Sequence, residues 1–485
     1  MNKLKLIIIT YCALFVLAGC ATNPVSKSKE FSLMSEKEEL ALGQQLAAEY
    51  NKNLPLLPDD DPLSVYVNEV GQRLAFVSDR KELFYHFHVV DDATINAFAL
   101  PGGHIYIHRG LMMYLNSEAE LASVLAHEIG HVTARHAAQR YTQIQGYQLG
   151  MMVTSIFVPF NQVTGNLANL LAASFISGFG RDMELQADEL ALKYAPDAGY
   201  DPYATIQLLS TLQRVEHVNN LEITDTGEKP PVYHGAFATH PETRKRIQQA
   251  TEKAQSMHSN GFVNHERMLA ALNGYPYGDS PEEGAVVGQK FLHRDLGLQL
   301  TFPERWVIQN TPQAVTARIR NQSVYFMMAQ KPLSRRVSAK EVLESLFPKR
   351  HVGEVTTGTL MGKPYARARV IASAPKVSKA AIDIIVQLDG DKALIVNMWA
   401  PRDEIDSYQS DFDAIFKSLK SYDPKIDGDI PRITIHTWHQ QDSWQKLAER
   451  SGNILGKFTA ERFAALNGME LNQSPETGNL IKLVK

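Results

Sequence analysis

The sequence predicts a multidomain chain: a mainly α-helical domain with a small β-sheet, then an α+β domain, then a small βααβ domain. Three observations carry this. The chain has 485 residues, enough for several domains at about 100–200 residues each. Helical periodicity from Glu36 to about Ala254 gives way to alternating strand patterns after a turn-rich stretch between Gly274 and Gly288. The last stretch, Ile433–Lys485, reads strand, helix, helix, strand.

Composition narrows the function classes. Hydrophobic residues make up 44% and charged residues 21%, which is globular rather than disordered. Lys+Arg 49 against Asp+Glu 53 gives a net charge of −4 with no basic block, which argues against a nucleic-acid partner. The Cys count is 2, Cys12 and Cys20. Everything after Cys20 therefore lacks a disulfide, a thiolate nucleophile and a Cys-based metal site. A metal must be held by histidines and carboxylates.

Residues 1–19 read as a signal peptide. Lys3 and Lys5 precede an apolar run, Leu6–Leu17, shorter than the ~20 residues a membrane span needs. It ends Leu17-Ala18-Gly19-Cys20, which resembles the lipobox of bacterial lipoproteins. That resemblance implies cleavage before Cys20 and lipidation of Cys20, and Ala21 in place of Asp implies the outer membrane. Each buried acyl CH₂ contributes ~0.8 kcal/mol to such an anchor. Residues 20–35, with Pro24 and several serines, read as a tether.

Residues 36–255 form the first domain, helical except for an extended stretch from Phe84 to His108. Its strongest signal is His127-Glu128-Ile129-Gly130-His131. Ser117 and Glu120 upstream form a capping-box pattern, and Leu121, Val124, Leu125 and Val132 keep helical spacing. Residues four apart share a helix face, so two imidazoles can chelate one zinc while Glu128 lies beside them as general base. Zinc lowers the pKa of a bound water to about 7. Gly130 in mid-helix costs ~1 kcal/mol relative to Ala, which reads as close approach of backbone or substrate over the metal, with loose packing as the alternative.

A third protein ligand is needed. Downstream, Glu184 and Asp188 are again four apart, and their like charges on one face favour a cation opposite them. H-E-x-x-H followed by E-x-x-A-D resembles the CAAX-prenyl-protease/HtpX family of zinc metallopeptidases, in its soluble, periplasmic lipoprotein branch. Asn96-Ala97-Phe98-Ala99-Leu100-Pro101-Gly102-Gly103 matches that family's strand segment. His240-Pro241 with Arg246-Ile247 matches its H-P-x-x-x-R-I element with one residue more between. The resemblance covers about a third of the chain and implies a gluzincin-like fold. It makes His127, His131 and Glu184 the ligands of one zinc ion per chain, Glu128 the base, and Asp188 a second catalytic carboxylate that bonds a ligand histidine or assists protonation.

His240 precedes a proline and is held extended, as a possible fourth ligand or a gate, with a surface histidine as the alternative. The Phe98–Ile107 stretch, with Asn96, Gly102 and Gly103, could be an edge strand on which a substrate peptide pairs, or an ordinary packed strand. His86, His88, His104 and His108 are expected to face solvent, and His136 carries no assigned role. Tyr141–Phe179 reads as a helical hairpin, a lid over the site or plain core.

Residues 256–288 are expected as a linker. In 289–425, Leu298, Leu300 and Phe302 alternate, and Ala381–Leu388 and Ala393–Ala400 form a hairpin through Asp389-Gly390. Ser338 and Glu341 cap one helix, and Tyr408–Leu419 is another. Phe302-Pro303-Glu304-Arg305-Trp306 resembles PsbP-like folds. Residues 431–485, with Gln441-Asp442-Ser443-Trp444 where a Gly-Asp-Thr-Leu motif would sit, resemble a LysM module, which implies binding of peptidoglycan. A structural cap is the equal alternative, since Gln441 replaces the glycine. Deleting this tail is expected to spare the first domain.

These readings converge on a zinc endopeptidase anchored in outer-membrane lipid and facing the periplasm. The resemblance implies unfolded or misassembled envelope proteins as partners and substrates. Two alternatives stay open, a non-catalytic zinc-containing chaperone or peptidoglycan adaptor, and a cell-wall hydrolase.

Overall fold

The computed structural model describes residues 20–155, 179–225, 243–257, 260–280, 282–311, 313–348, 352–427 and 429–485. The signal-peptide reading, His240 and most of Tyr141–Phe179 lie outside these. The chain forms two compact units, residues 1–277 with 432–485 and residues 278–431. Among the described residues no helix is long and apolar enough to cross a membrane.

The first unit opens with a two-stranded ribbon, β1 (Cys20–Thr22) and β2 (Lys29–Phe31), within the segment expected as a tether. Helix α1 (Glu36–Asn53) starts at a capping box, in which Ser35 accepts from the Glu38 amide and Glu38 reaches back. Helix α2 (Pro62–Val77) has Asp61 as its cap and Pro62 in the first turn. The extended stretch becomes a three-stranded sheet in the order β3 (His86–Val90), β5 (His104–His108), β4 (Ala97–Leu100). β3 runs parallel to β5, and β4 antiparallel. β4 is therefore an edge strand. Phe98 lies on it, with its ring stacked on Tyr106 at 4.9 Å. Gly102 and Gly103 are not strand residues: at φ 81° and 95° they form the turn into β5, a backbone that L side chains rarely adopt.

After a short helix α3 (Arg109–Met112) comes α4 (Glu118–Thr133), whose every residue is buried. Its start differs by one residue from the expected box. Ser117 accepts from the Glu120 amide, but the Glu120 carboxylate accepts from the Asn116 amide at 2.8 Å. Both ends are held by buried polar networks. At the N-terminus Glu118 accepts from Tyr200 at 3.0 Å and Arg267 at 2.7 Å, a carboxylate where the helix dipole favours one. At the C-terminus Arg80 donates to the Val132 carbonyl at 3.1 Å and to Glu39 at 3.0 Å.

Helix α5 (His136–Ser155) follows a sharp bend at Arg135, φ 57°. Helices α6 (Arg181–Asp197), α7 (Ala204–Asp225) and α8 (Thr243–Gln255) complete the bundle. The stretch expected as a linker contains another helix, α9 (His265–Leu272). Its Met268, Leu269 and Leu272 are buried, a spacing that gives one apolar face.

The second unit is built on a seven-stranded antiparallel sheet, ordered β12 (Thr356–Leu360), β13 (Lys363–Ala374), β14 (Val377–Asp389), β15 (Lys392–Pro401), β11 (Tyr325–Pro332), β10 (Ala314–Ile319), β9 (Trp306–Thr311). A four-stranded sheet contains β6 (Ala285–Val287), β7 (Lys290–His293), β8 (Leu298–Thr301) and β16 (Lys420–Ser421). The β14–β15 hairpin turns at Gly390, φ 61°, as the sequence predicts. Helix α10 (Ala339–Leu346) has the Ser338/Glu341 capping box, and α11 (Gln409–Ser418) packs beside β8. One core cluster contains Phe302, Trp306, Phe326 and Phe412, and another forms where α10 meets β13 and β14.

A four-residue helix, α12 (Pro424–Asp427), precedes the last segment. That segment has the expected order: β17 (Ile433–Thr437), α13 (Trp444–Arg450), α14 (Thr459–Leu466), β18 (Leu480–Val484). It is not a free-standing module. Ile433, Trp444, Phe463 and Leu483 belong to the same hydrophobic core as α2, α4 and α7. Fully buried Lys482 donates its Nζ to the carbonyls of Met113 at 2.7 Å and Leu115 at 2.6 Å, just ahead of α4.

Candidate metal centre

One cluster of described residues could hold a metal ion: His127 and His131 from α4 with Glu184 from α6, their ligand atoms all within 4.8 Å of one another. The Nε2 atoms of the two histidines are 3.0 Å apart. Glu184 lies 3.4 Å from His127 Nε2 and 3.6 Å from His131 Nε2. The i, i+4 spacing puts both rings on one face of α4, and the turn-by-turn match of α6 brings the carboxylate across.

Each histidine's second nitrogen is held from behind. His127 Nδ1 is 3.0 Å from Asp188, one turn after Glu184 on α6. His131 Nδ1 is 2.7 Å from His136 Nδ1, and His136 Nε2 is 3.0 Å from the amide oxygen of Gln186. Burial pushes the His136 imidazole down to about 4, so it is neutral at pH 7. Its Nε2–H donates to Gln186, and its Nδ1 accepts from His131. Both ligand histidines thus turn Nε2 toward Glu184, the arrangement a metal needs from its outer partners. The ring of Phe179 stacks on His131 at 4.3 Å.

Asp188 is itself fixed by Arg246 of α8, through two hydrogen bonds of 2.6 and 2.7 Å. Arg246 also approaches Glu184 at 3.3 Å. Burial would raise the Asp188 carboxyl, but Arg246 and His127 outweigh it and hold the group below the usual carboxylate range. Burial would likewise lower His127, yet Asp188 and Glu184 raise it to about 10. The buried carboxylates make a pocket of negative potential that calls for a cation.

Gly130 lies where α4 meets α6. A Cβ there would lie 3.2 Å from Leu190 Cβ and 3.3 Å from the Ala187 backbone. Of the readings of this glycine, close approach of backbone is the one the packing of α6 shows.

Ala97, the first residue of the wholly buried strand β4, and Asn96 just before it line a cavity with His127 and Glu128. Gly102 and Gly103 lie at the strand's other end, in the turn. His108 is not solvent-facing but buried, with Nδ1 2.6 Å from Thr94 Oγ1. Residue patterns alone passed over His136 and gave Arg246 no role. Arg246 at least sat in a quoted family element. His136, five residues past His131 and beyond the end of α4, has no helical spacing to mark it.

The donor set fits zinc: two imidazoles and a carboxylate, all buried, with the second nitrogen of each imidazole held by an outer partner. Residues 63–254 match the profile of peptidase family M48, a zinc-dependent family. The chain is 31% identical over 247 residues to the beta-barrel assembly-enhancing protease of Yersinia pestis, covering 49% of this chain and 48% of that protein. It is 30% identical over 235 residues to the mitochondrial metalloendopeptidase OMA1 of Schizosaccharomyces pombe, covering 47% of this chain and 65% of that one. The chain thus spans about half to two thirds of the length of these relatives. Among solved structures, a cyanobacterial PsbP from Synechocystis aligns with 28% of this chain and 95% of its own at 13% identity, with a TM-score of 0.23.

Proposed function

We propose, for a chain whose residues 63–254 form a peptidase family M48 domain, that the protein is a zinc metalloendopeptidase. The observation that carries this is the complete set on three packed helices: three metal ligands and Glu128 from α4 and α6, and behind them Asp188 of α6 paired with Arg246 of α8.

A zinc ion held by His127, His131 and Glu184 would supply Lewis acidity toward a carbonyl and acidify a water. Glu128 takes the proton from the attacking water and delivers it to the departing amine. Asp188 holds the Nδ1–H of His127 so that Nε2 keeps its direction through turnover. Arg246 keeps Asp188 ionised and in place. Asn96 and Ala97 line the same cavity as His127 and Glu128, so a peptide that enters it is brought with its scissile bond near Glu128.

We place this activity at the outer membrane, on the periplasmic side, through lipidation of Cys20. The sequence Leu17-Ala18-Gly19-Cys20 after an apolar run supports it. Substrates are unfolded or misassembled envelope proteins, a reading supported by the relatives named for β-barrel assembly. The LysM-like order of the last segment supports contact with peptidoglycan.

The test uses the whole chain after Cys20, loaded with zinc, on an unfolded generic protein. One zinc per chain and cleavage are expected, with Glu128→Gln keeping the metal and losing about 10²–10⁴-fold in rate. Equal cleavage by the variant would overturn the proposal.

A further inference from the structure

Residues 20–35, expected as a tether, are bonded to the body of the first unit at several points. Val25 packs against its hydrophobic core. Glu30 accepts from Asn23 Nδ2 at 2.8 Å and from Gln139 Nε2 of α5 at 3.3 Å. The Leu33 amide donates to Thr142 Oγ1 of α5 at 3.0 Å, and the Met34 carbonyl accepts from Arg135 at 3.2 Å. Arg135 and α5 follow directly on α4, so the segment is seated at the C-terminal end of the metal-bearing helix.

Successive residues of a strand face opposite ways. In β2 Glu30 faces the body, so Lys29 and Phe31 face outward together, and both are exposed. Phe31 leaves 51% of a large apolar residue accessible. Lys27, in the loop that joins the two strands, is exposed as well. The register of the ribbon sets Phe31 directly opposite Cys20 and Lys29 opposite Thr22. Paired residues of an antiparallel ribbon have their Cα atoms about 5 Å apart. Acyl chains on Cys20 would thus enter a bilayer beside Phe31, and the bonded ribbon would go to the headgroups with them.

We propose that the outward face of the β1–β2 ribbon, Phe31 with Lys27 and Lys29, is a contact surface for an anionic phospholipid bilayer. The bonded ribbon then holds the first unit with the C-terminal end of α4 toward that bilayer. The inference rests on the reading of Cys20 as a lipidated residue. An apolar ring suits the boundary between headgroups and acyl chains, and lysines beside it meet the lipid phosphates. A bilayer fits this face better than a second copy of the chain does. The face is continuous with the acylation site, and its charges, both positive, would repel their own image. The metal centre, with His131 in the last turn of α4, is kept close to the membrane surface. The other end of α4 is bonded to residues 263 and 264. Across the 16 residues of that helix, about 24 Å at 1.5 Å per residue, Phe262 stands exposed on the far side.

The experiment uses the full chain, processed and acylated in cells, with its mass reporting the acylation of Cys20. It is reconstituted in vesicles of phosphatidylethanolamine and phosphatidylglycerol whose acyl chains carry bromine near the headgroups. The native tryptophans, Trp306, Trp399, Trp438 and Trp444, are all buried and give a constant background. Phe31→Trp is expected to be strongly quenched by the brominated lipid, and Phe262→Trp to stay at the background. Hydrogen exchange on the unaltered chain gives an answer without a substitution: amides of residues 23–34 are expected to exchange slowly on vesicles. Free exchange there means a tether and overturns the inference. Equal quenching at the two positions, or none at Phe31→Trp while Cys20 is acylated, overturns it alone. Phe31→Trp shielded from iodide in the unacylated chain, free in buffer, means that a second copy covers the face and also overturns it. A Cys20 without acyl chains overturns it together with the lipidation reading and leaves the peptidase reading untouched.

Discussion

At the residue scale, His127 shows how the metal centre responds to pH. Burial opposes its charge, but Asp188 and Glu184 face its two nitrogens and raise its pKa to about 10. A raised histidine stabilises the folded, metal-free chain below pH 6.5, and that contribution is lost as pH rises through about 10. A metal ligand must be neutral, so zinc binding near pH 7 has to release this proton. Zinc affinity should therefore rise about tenfold per pH unit between pH 6 and 8, with about one proton released per ion. Calorimetry in buffers of different ionisation enthalpy measures both, and an affinity flat across that range would contradict the assignment. His136 belongs to the same scale. It orients His131 through the 2.7 Å Nδ1–Nδ1 contact, so His136→Ala should weaken zinc binding about 10–100-fold. His136→Gln, which keeps an acceptor, should recover part of that loss. A metal titration of the three proteins checks it.

At the scale of elements, the site depends on how closely α4 and α6 approach, and Gly130 is where they touch. Ala there would gain ~1 kcal/mol of helix propensity. The added Cβ meets the Ala187 backbone at 3.3 Å, and backbone cannot swing aside as a side-chain tip can. Overpacking costs about 1–3 kcal/mol, so Gly130→Ala should lower the thermal midpoint. It should weaken zinc binding as well, because Ala187 sits between Glu184 and Asp188. A higher midpoint with unchanged metal affinity would show that the helices have room. Within each element, the sequence was a good guide. The Ser338/Glu341 capping signal marked α10, alternation marked β8, and the strand-like runs on either side of Asp389-Gly390 marked β14, β15 and their turn. The shifted cap at Glu120 was not visible, since it depends on where the Asn116 amide points.

At the scale of the whole molecule, the tail shares its core with the first unit. The sequence reads residues 431–485 as a LysM-like domain or, equally, a structural cap; their apolar residues complete the core of the first unit, and Lys482 caps two carbonyls ahead of α4. Removing residues 432–485 would expose the α7 and α9 surfaces they cover and leave those carbonyls without their donor. The truncated chain is expected to lose zinc and cooperative unfolding together, measured by metal content and thermal denaturation. An intact, zinc-loaded truncation would restore the view of an independent module. Glycan binding by the tail is better tested by surface substitutions in the whole chain.

The division between sequence and structure follows the range of the interactions. His127, Glu128, His131, Glu184 and Asp188 were legible because helical spacing is local: residues four apart share a face whatever surrounds them. Arg246 reaches Asp188 across 58 residues, Arg135 reaches Glu39 across 96, and Lys482 reaches Met113 across 369. No periodicity encodes such pairs. The sequence by itself brought out the candidate ligands His127 and His131, Glu128 beside them and the strand-helix-helix-strand order of the last segment, since each depends on neighbours along the chain. Only the tertiary structure decided what orients the ligands, what lines the cavity beside them and to which core the tail belongs, since each is a packing between segments remote in sequence.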